Sequence, residues 1–186
     1  MTLTLAPRAS DAPPSPTDDT VDRRDLDAVY RRHYGHVLRI CLRMGAGDRE
    51  WAEDAAQDVF LQLHQQPGAL DEVRSIQAWL TTVATRGCLR RLRRDRFMQA
   101  APVRWLLRSE LRLPKTPEDQ GIVDDTLRRA ARVIQAQPPK VRAAFFLYYV
   151  DQKTVTEIGE VLGHTKGYVS KLLAKAKRAV EREELR

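Results

Sequence analysis

Two stretches of helical periodicity, separated by a proline-bearing stretch that has none, dominate the 186-residue sequence. From Asp25 to Arg96, and again from Leu127 onward, apolar residues recur every three or four positions, the spacing that gathers them on one side of an α-helix. No run of alternating β-branched residues appears, so nothing reads as a half-buried strand. The intervening residues 98–122 hold Pro102, Pro114 and Pro117 and keep no sustained period. They read as a flexible linker, with one helical turn expected around Trp105 to Leu111. The chain is therefore expected to be all-α, with small helical domains at 25–97 and 123–186. Residues 1–24 carry Pro7, Pro13, Pro14 and Pro16 among Ser, Thr and Asp. That composition buries too little apolar surface to offset ordering entropy, and a disordered tail is expected there.

Several classes of protein are disfavoured at once. The longest apolar run, Ala143 to Val150, spans eight residues, against the ~20 that a membrane helix needs, so no membrane partner is expected. The first residues lack the basic stretch and long apolar core of a secretory signal. Two cysteines, Cys41 and Cys88, are too few for a disulfide framework; a cytoplasmic location and inert core thiols are expected. There is no Walker loop, dinucleotide fingerprint, Gly-x-Ser-x-Gly elbow or His-Glu-x-x-His helix, so neither catalysis nor a cofactor is expected. His33 and His36 lack the further ligands that a metal site requires.

Charge points the other way, toward a polyanion. The formal net charge is +7, and it is segregated: residues 25–72 sum to −4, 73–97 to +6 and 123–186 to +5. The C-terminal excess sits on a distinctive pattern at 154–177. Val155, Ile158, Val161 and Leu162 make the apolar side of a short helix, small Gly159 is expected to let the two helices approach closely, Gly163 permits a left-handed turn, and Thr165 can cap a second helix. Val169, Leu172, Leu173 and Ala176 then face inward. Two short helices joined by such a turn form a helix-turn-helix, whose second helix fits the DNA major groove. Left outward, after the cap Thr165, are Lys166, Tyr168, Ser170, Lys171, Ala174 and Lys175. Lysines there neutralise phosphate, while Ser170 and Lys171 are placed to reach base edges.

In the first domain, Asp48 and Ser75 are candidate caps for the second and third helices. Leu26, Tyr30, Tyr34, Val37, Cys41 and Met44 form the expected inward stripe of the first. Six arginines fall between Arg86 and Arg96, and Arg86, Arg90, Arg93 and Arg94 share a helix side, suited to a phosphate backbone or simply to solvent. Asp54 and Asp58 stand one turn apart and repel. Their compensating cation comes either from an arginine of this domain or from the basic surface of another protein; spacing does not decide.

The ordered set Ala-Glu-Asp-Ala-Ala-Gln-Asp-Val-Phe-Leu (52–61), Ser-Ile-Gln-Ala-Trp-Leu-Thr-Thr-Val-Ala (75–84) and Pro-Pro-Lys-Val-Arg (138–142), ahead of the helix-turn-helix, resembles a bacterial RNA polymerase sigma factor. The compact size and the linker in place of a middle domain are similar to the extracytoplasmic-function group. The resemblance implies a region 2-like domain at 25–97 and a region 4-like domain at 123–186. It implies docking on core RNA polymerase, at the largest-subunit clamp helices through Asp54, Gln57 and Asp58, and at the upstream flap region. It implies capture of the melted minus-ten element by the loop from Gln65 to Gln77 and the helix after it, with Arg74, Ser75, Gln77, Arg86, Arg90, Arg93 and Arg94 on single-stranded promoter DNA. The minus-thirty-five duplex falls to Thr165 through Lys175, and an anti-sigma factor is the implied controller. Arg86 and Arg90 stand where the family usually has Asn and Asp, and Gln152-Lys153 where Gly-Leu is common. The competing readings are a self-sufficient helix-turn-helix regulator and a helical adaptor with solvated charge.

Overall fold

The computed structural model describes residues 25–66, 68–98 and 125–184. The expected tail, the linker beyond Met98, the turn near Trp105 and Pro67 lie outside the described residues. Among those described there are seven helices and no strand, in two compact units.

The first unit contains α1 (Leu26–Met44), α2 (Arg49–His64) and α3 (Ile76–Met98). Each begins where a side chain satisfies otherwise orphaned amides. The Asp25 carboxylate accepts from the amides of Asp27 (3.1 Å) and Ala28 (3.0 Å), Asp48 from Trp51 (3.1 Å), and the Ser75 hydroxyl from Ala78 (3.2 Å). On α3, Ile76, Leu80, Ala84 and Cys88 recur every four residues and are all buried. They close a three-helix core with Val37, Ile40, Cys41 and Met44 of α1 and Ala52, Ala56, Val59 and Leu63 of α2. The Cys88 and Cys41 sulfurs meet across it at 3.6 Å.

The expected stripe on α1 holds at Val37, Cys41 and Met44 but is displaced in the first half of the helix. Val29 and His33 are buried, whereas Tyr30 is 40% exposed. Reading His33 as polar hid the four-residue line Val29–His33–Val37. The tyrosines instead form a marginal aromatic cluster with Phe60 of α2, with centroids 5.0 Å apart for Tyr30–Tyr34 and 4.8 Å for Tyr30–Phe60. A Cβ on Gly45 would lie 2.5 Å from the Trp51 ring; glycine there lets Trp51 fold over the end of α1.

The second unit contains α4 (Asp125–Gln135), α5 (Pro139–Tyr149), α6 (Val155–Leu162) and α7 (Lys166–Glu184). Pro139 starts α5 at the position where a missing amide costs nothing. Val141 through Leu147 are all buried, so α5 is the central helix of this unit. That run includes Arg142, which donates through Nη1 to the Gln135 carbonyl (3.2 Å) and Oε1 (3.1 Å), anchoring the end of α4.

Helix α6 opens with a reciprocal capping box. The Thr154 hydroxyl accepts from the Glu157 amide (3.3 Å), and the Glu157 carboxylate accepts from the Thr154 amide (2.7 Å). It ends at Gly163, whose φ of 67° is left-handed. The His164 amide then bonds back to the Gly159 carbonyl at 2.8 Å, and a Cβ on Gly159 would meet the His164 carbonyl oxygen at 2.7 Å. The closeness that requires glycine at 159 is therefore to the turn, not to the second helix. Val169, Leu172, Ala176 and Val180 are the buried line of α7, with Leu173 only half-buried.

Candidate nucleic-acid interface

In the first unit, α2 brings Asp54, Gln57 and Asp58 to one exposed face. The compensating cation is internal. Arg91 of α3 donates from Nη2 to Asp54 (2.8 Å) and from Nη1 to Asp58 (3.2 Å). Its guanidinium also stacks 5.5 Å from the Trp51 ring centroid, and the Trp51 indole donates to Asp95 at 2.9 Å. The Asp54 and Asp58 side chains nonetheless remain 56% and 67% exposed. Each keeps carboxylate lone pairs open to a partner.

The arginines of α3 separate by direction. Arg91 turns toward α2, while Arg86, Arg90, Arg93 and Arg94 are exposed. At the start of the helix Arg74 and Gln77 are exposed, while the Ser75 hydroxyl serves as the cap. Gln77 is held by a relay. The Thr81 hydroxyl donates to the Gln77 carbonyl (2.8 Å), so it accepts from His36 Nε2 (2.8 Å), and His36 Nδ1 accepts from the Gln77 amide at 3.5 Å. Sequence reading missed this role of His36, because the residues it joins are 41 and 45 positions away. Trp79 is half-buried, with neither a wholly core nor a wholly open position. A further exposed apolar residue, Leu61, is 56% exposed. It falls three positions after Asp58, on the same side of α2, a spacing that sequence inspection could have flagged.

In the second unit, Thr165, Lys166, Tyr168, Ser170, Lys171 and Lys175 are all exposed on or beside the first turns of α7, as the helical spacing predicts. Thr165 caps the helix, accepting from the Tyr168 amide at 3.4 Å. The Ser170 hydroxyl donates back to the Lys166 carbonyl (3.0 Å), which leaves its lone pairs free to accept. No acidic residue lies between Thr165 and Arg178. Lys140 of α5 reaches this region too, 2.9 Å from His164, a pairing with no local sequence signal. Among the described residues no His, Cys, Asp or Glu cluster could hold a metal ion, and no helix is long and apolar enough to cross a membrane.

Three helices with an outward Arg row, and a second unit built around an exposed basic helix-turn-helix, define a two-module helical protein of the nucleic-acid-binding class. Sigma-70 region 2 matches residues 29–97, and sigma-70 region 4 matches residues 127–180. The chain belongs to the sigma-70 family of RNA polymerase sigma factors, in its extracytoplasmic-function group, whose regions 2 and 4 serve the minus-ten and minus-thirty-five elements. It is 26% identical over 161 residues to the ECF RNA polymerase sigma factor SigM of Mycobacterium tuberculosis, covering 87% of this chain and 78% of that one. Against the ECF sigma factor SigW of Bacillus subtilis it is 28% identical over 166 residues, covering 86% and 87%. Against the ferric citrate uptake sigma factor FecI of Escherichia coli it is 29% identical over 153 residues, covering 81% and 86%. The fold is similar to that of the sigma factor RpoE of Bartonella quintana, solved with the anti-sigma factor NepR. That similarity has a TM-score of 0.61 at 13% identity and covers 86% of this chain and 96% of that one.

Proposed function

We propose that this sigma factor divides promoter recognition between its two units at the residues described above. Asp54, Gln57 and Asp58 dock on the clamp helices of the largest polymerase subunit. Arg74, Gln77 and the exposed row Arg86, Arg90, Arg93 and Arg94 hold the opened minus-ten strand, with Ser75 shaping the start of that helix. Thr165, Lys166, Tyr168, Ser170, Lys171 and Lys175 engage the minus-thirty-five duplex, near the upstream flap region. The observation that carries this division is the segregation of exposed charge: acid on α2, and base on the outer faces of α3 and α7. Melting DNA loses stacking of about 1.4 kcal/mol per step, so opened strands need cations and pockets, whereas an intact duplex needs a rigid helix. Each unit offers one of these.

The factor works in the cytoplasm and has no catalytic role of its own; phosphodiester synthesis belongs to the polymerase. Control by an anti-sigma factor is the expected regulation, supported by the company that the Bartonella protein keeps in its crystal. Run-off transcription with bacterial core polymerase and a randomised promoter library tests the whole proposal. Transcripts should start downstream of a shared pair of elements only when the factor is added. Failure to associate with any bacterial core enzyme would refute it.

A further inference from the structure

Lys140 begins the first turn of α5, and His164 lies in the turn of the helix-turn-helix. They are 24 residues apart in the chain, yet Lys140 Nζ sits 2.9 Å from His164 Nε2. An ammonium only donates, so Nε2 accepts, and the imidazole is neutral with its proton on Nδ1. The same Nζ lies 5.6 Å from the centroid of the Tyr168 ring, which itself lies 4.4 Å from that of His164. Both basic side chains are half-buried and solvent-accessible. His164 also lines an open cleft with Thr156, Glu160, Thr165 and Lys166. The charged and titratable groups around it are therefore Lys140 from α5, Glu160 from α6, and Lys166 and Tyr168 from α7. Burial and the Lys140 charge hold the imidazole below its ordinary value of 6.5.

Two groups that carry or can accept positive charge are thus drawn together beside the exposed basic start of α7. Without an anion they repel whenever the imidazole protonates. We infer that Lys140 and His164, walled by the Tyr168 ring, clamp one backbone phosphate of the upstream duplex, and that the phosphate binds together with a proton on His164. This rests on the reading of α7 as the duplex-facing helix. A phosphate ester is an acceptor only. As its oxygen arrives, the Lys140 ammonium turns its N–H from Nε2 to that oxygen. Nε2 then takes one proton from solvent and donates to the phosphate. One N–H bond forms at Nε2 with a proton supplied by solvent, no bond between heavy atoms changes, and one proton is taken up per clamp engaged. The bound imidazole has the higher pKa, so affinity rises as pH falls through the bound-state value and levels off below the free-state value.

The test uses the full chain assembled with bacterial core RNA polymerase, binding a promoter duplex at constant salt. Wild type should tighten about tenfold from about pH 8 to about pH 6, one tenfold corresponding to one pKa unit. His164→Asn should flatten that profile, and Lys140→Met should lower the salt slope by about one. Neutral methylphosphonates, placed singly along the upstream backbone, need no protein variant. One position should reproduce the loss of both affinity and pH dependence, with no further loss in the Lys140→Met protein. If the upstream duplex is required and Lys171→Ala weakens binding, but neither His164→Asn nor any single methylphosphonate alters the pH profile, the clamp alone is overturned. If neither the upstream duplex nor Lys171 matters, the clamp and the reading of α7 fall together.

Discussion

Arg91 and Lys171 are both cations on helices that carry several, and their surroundings give them different work. Arg91 is only 19% exposed and spans Asp54 and Asp58; Lys171 stands open on α7. Because the two carboxylates are mostly exposed, Arg91→Gln should lower thermal stability by no more than about 1 kcal/mol. Calorimetry checks this, and a loss several times larger would mean the bridge is a structural keystone. Reversing Asp54 and Asp58 to Lys should abolish co-purification with core polymerase while circular dichroism stays unchanged. Undiminished co-purification would contradict the docking assignment. Lys171→Ala should cost about 1–3 kcal/mol, selectively at one promoter position, if it reads a base. A uniform loss over all promoter sequences would make it a phosphate contact instead. At this scale the sequence was legible wherever a residue's role follows from its own helix: the caps Asp48, Ser75 and Thr165, and the outward set of α7. It was illegible wherever the partner lies on another helix. Spacing left the cation for Asp54 and Asp58 undecided, and nothing local pairs His36 with Thr81 or Lys140 with His164.

Helix α6 concentrates two devices in eight residues. Its capping box holds the Glu157 carboxyl below its ordinary value of 4.5, chiefly through the Thr154 backbone amide and then the Thr154 hydroxyl. A depressed carboxylate contributes stability that is present above its unfolded-state value and is lost as pH falls through the folded-state one. The helix-turn-helix should therefore loosen on acidification below about pH 4.5, and Glu157→Gln should blunt that pH dependence, as followed by thermal melts. At neutral pH, Thr154→Ala should cost about 1 kcal/mol. Gly159 is the second device: a methyl there meets the His164 carbonyl, which the 2.8 Å bond to Gly159 prevents from retreating. Gly159→Ala should destabilise by about 1–3 kcal/mol despite the better helix propensity of alanine; an unchanged melting temperature would show that the turn relaxes freely. Element types were readable because helical periodicity is strong in both described units. The first half of the α1 stripe was misplaced because a buried histidine looks polar in sequence, and the requirement for glycine at 159 was attributed to the wrong neighbour. Arg142 was read only as part of the 138–142 motif and not as a buried residue, since only the end of α4 reveals why a guanidinium belongs there.

For the molecule as a whole, the two-unit organisation followed from the loss of periodicity between two helical blocks, and the ordered motifs carried the family. On the proposed division, neither unit makes enough contacts to hold a promoter tightly. The free factor should leave at most a faint footprint on promoter DNA, and a clear one should emerge once core polymerase is added. Strong protection by the factor alone would favour a self-sufficient regulator. The Arg91 bridge also bears on how the factor leaves. If Asp54 and Asp58 dock as proposed, their resident guanidinium leaves a visiting basic surface only an increment of charge to gain, so the grip on the enzyme is moderated from within. On that docking, loss of the Arg91 bridge should make the factor slower to let go of the enzyme.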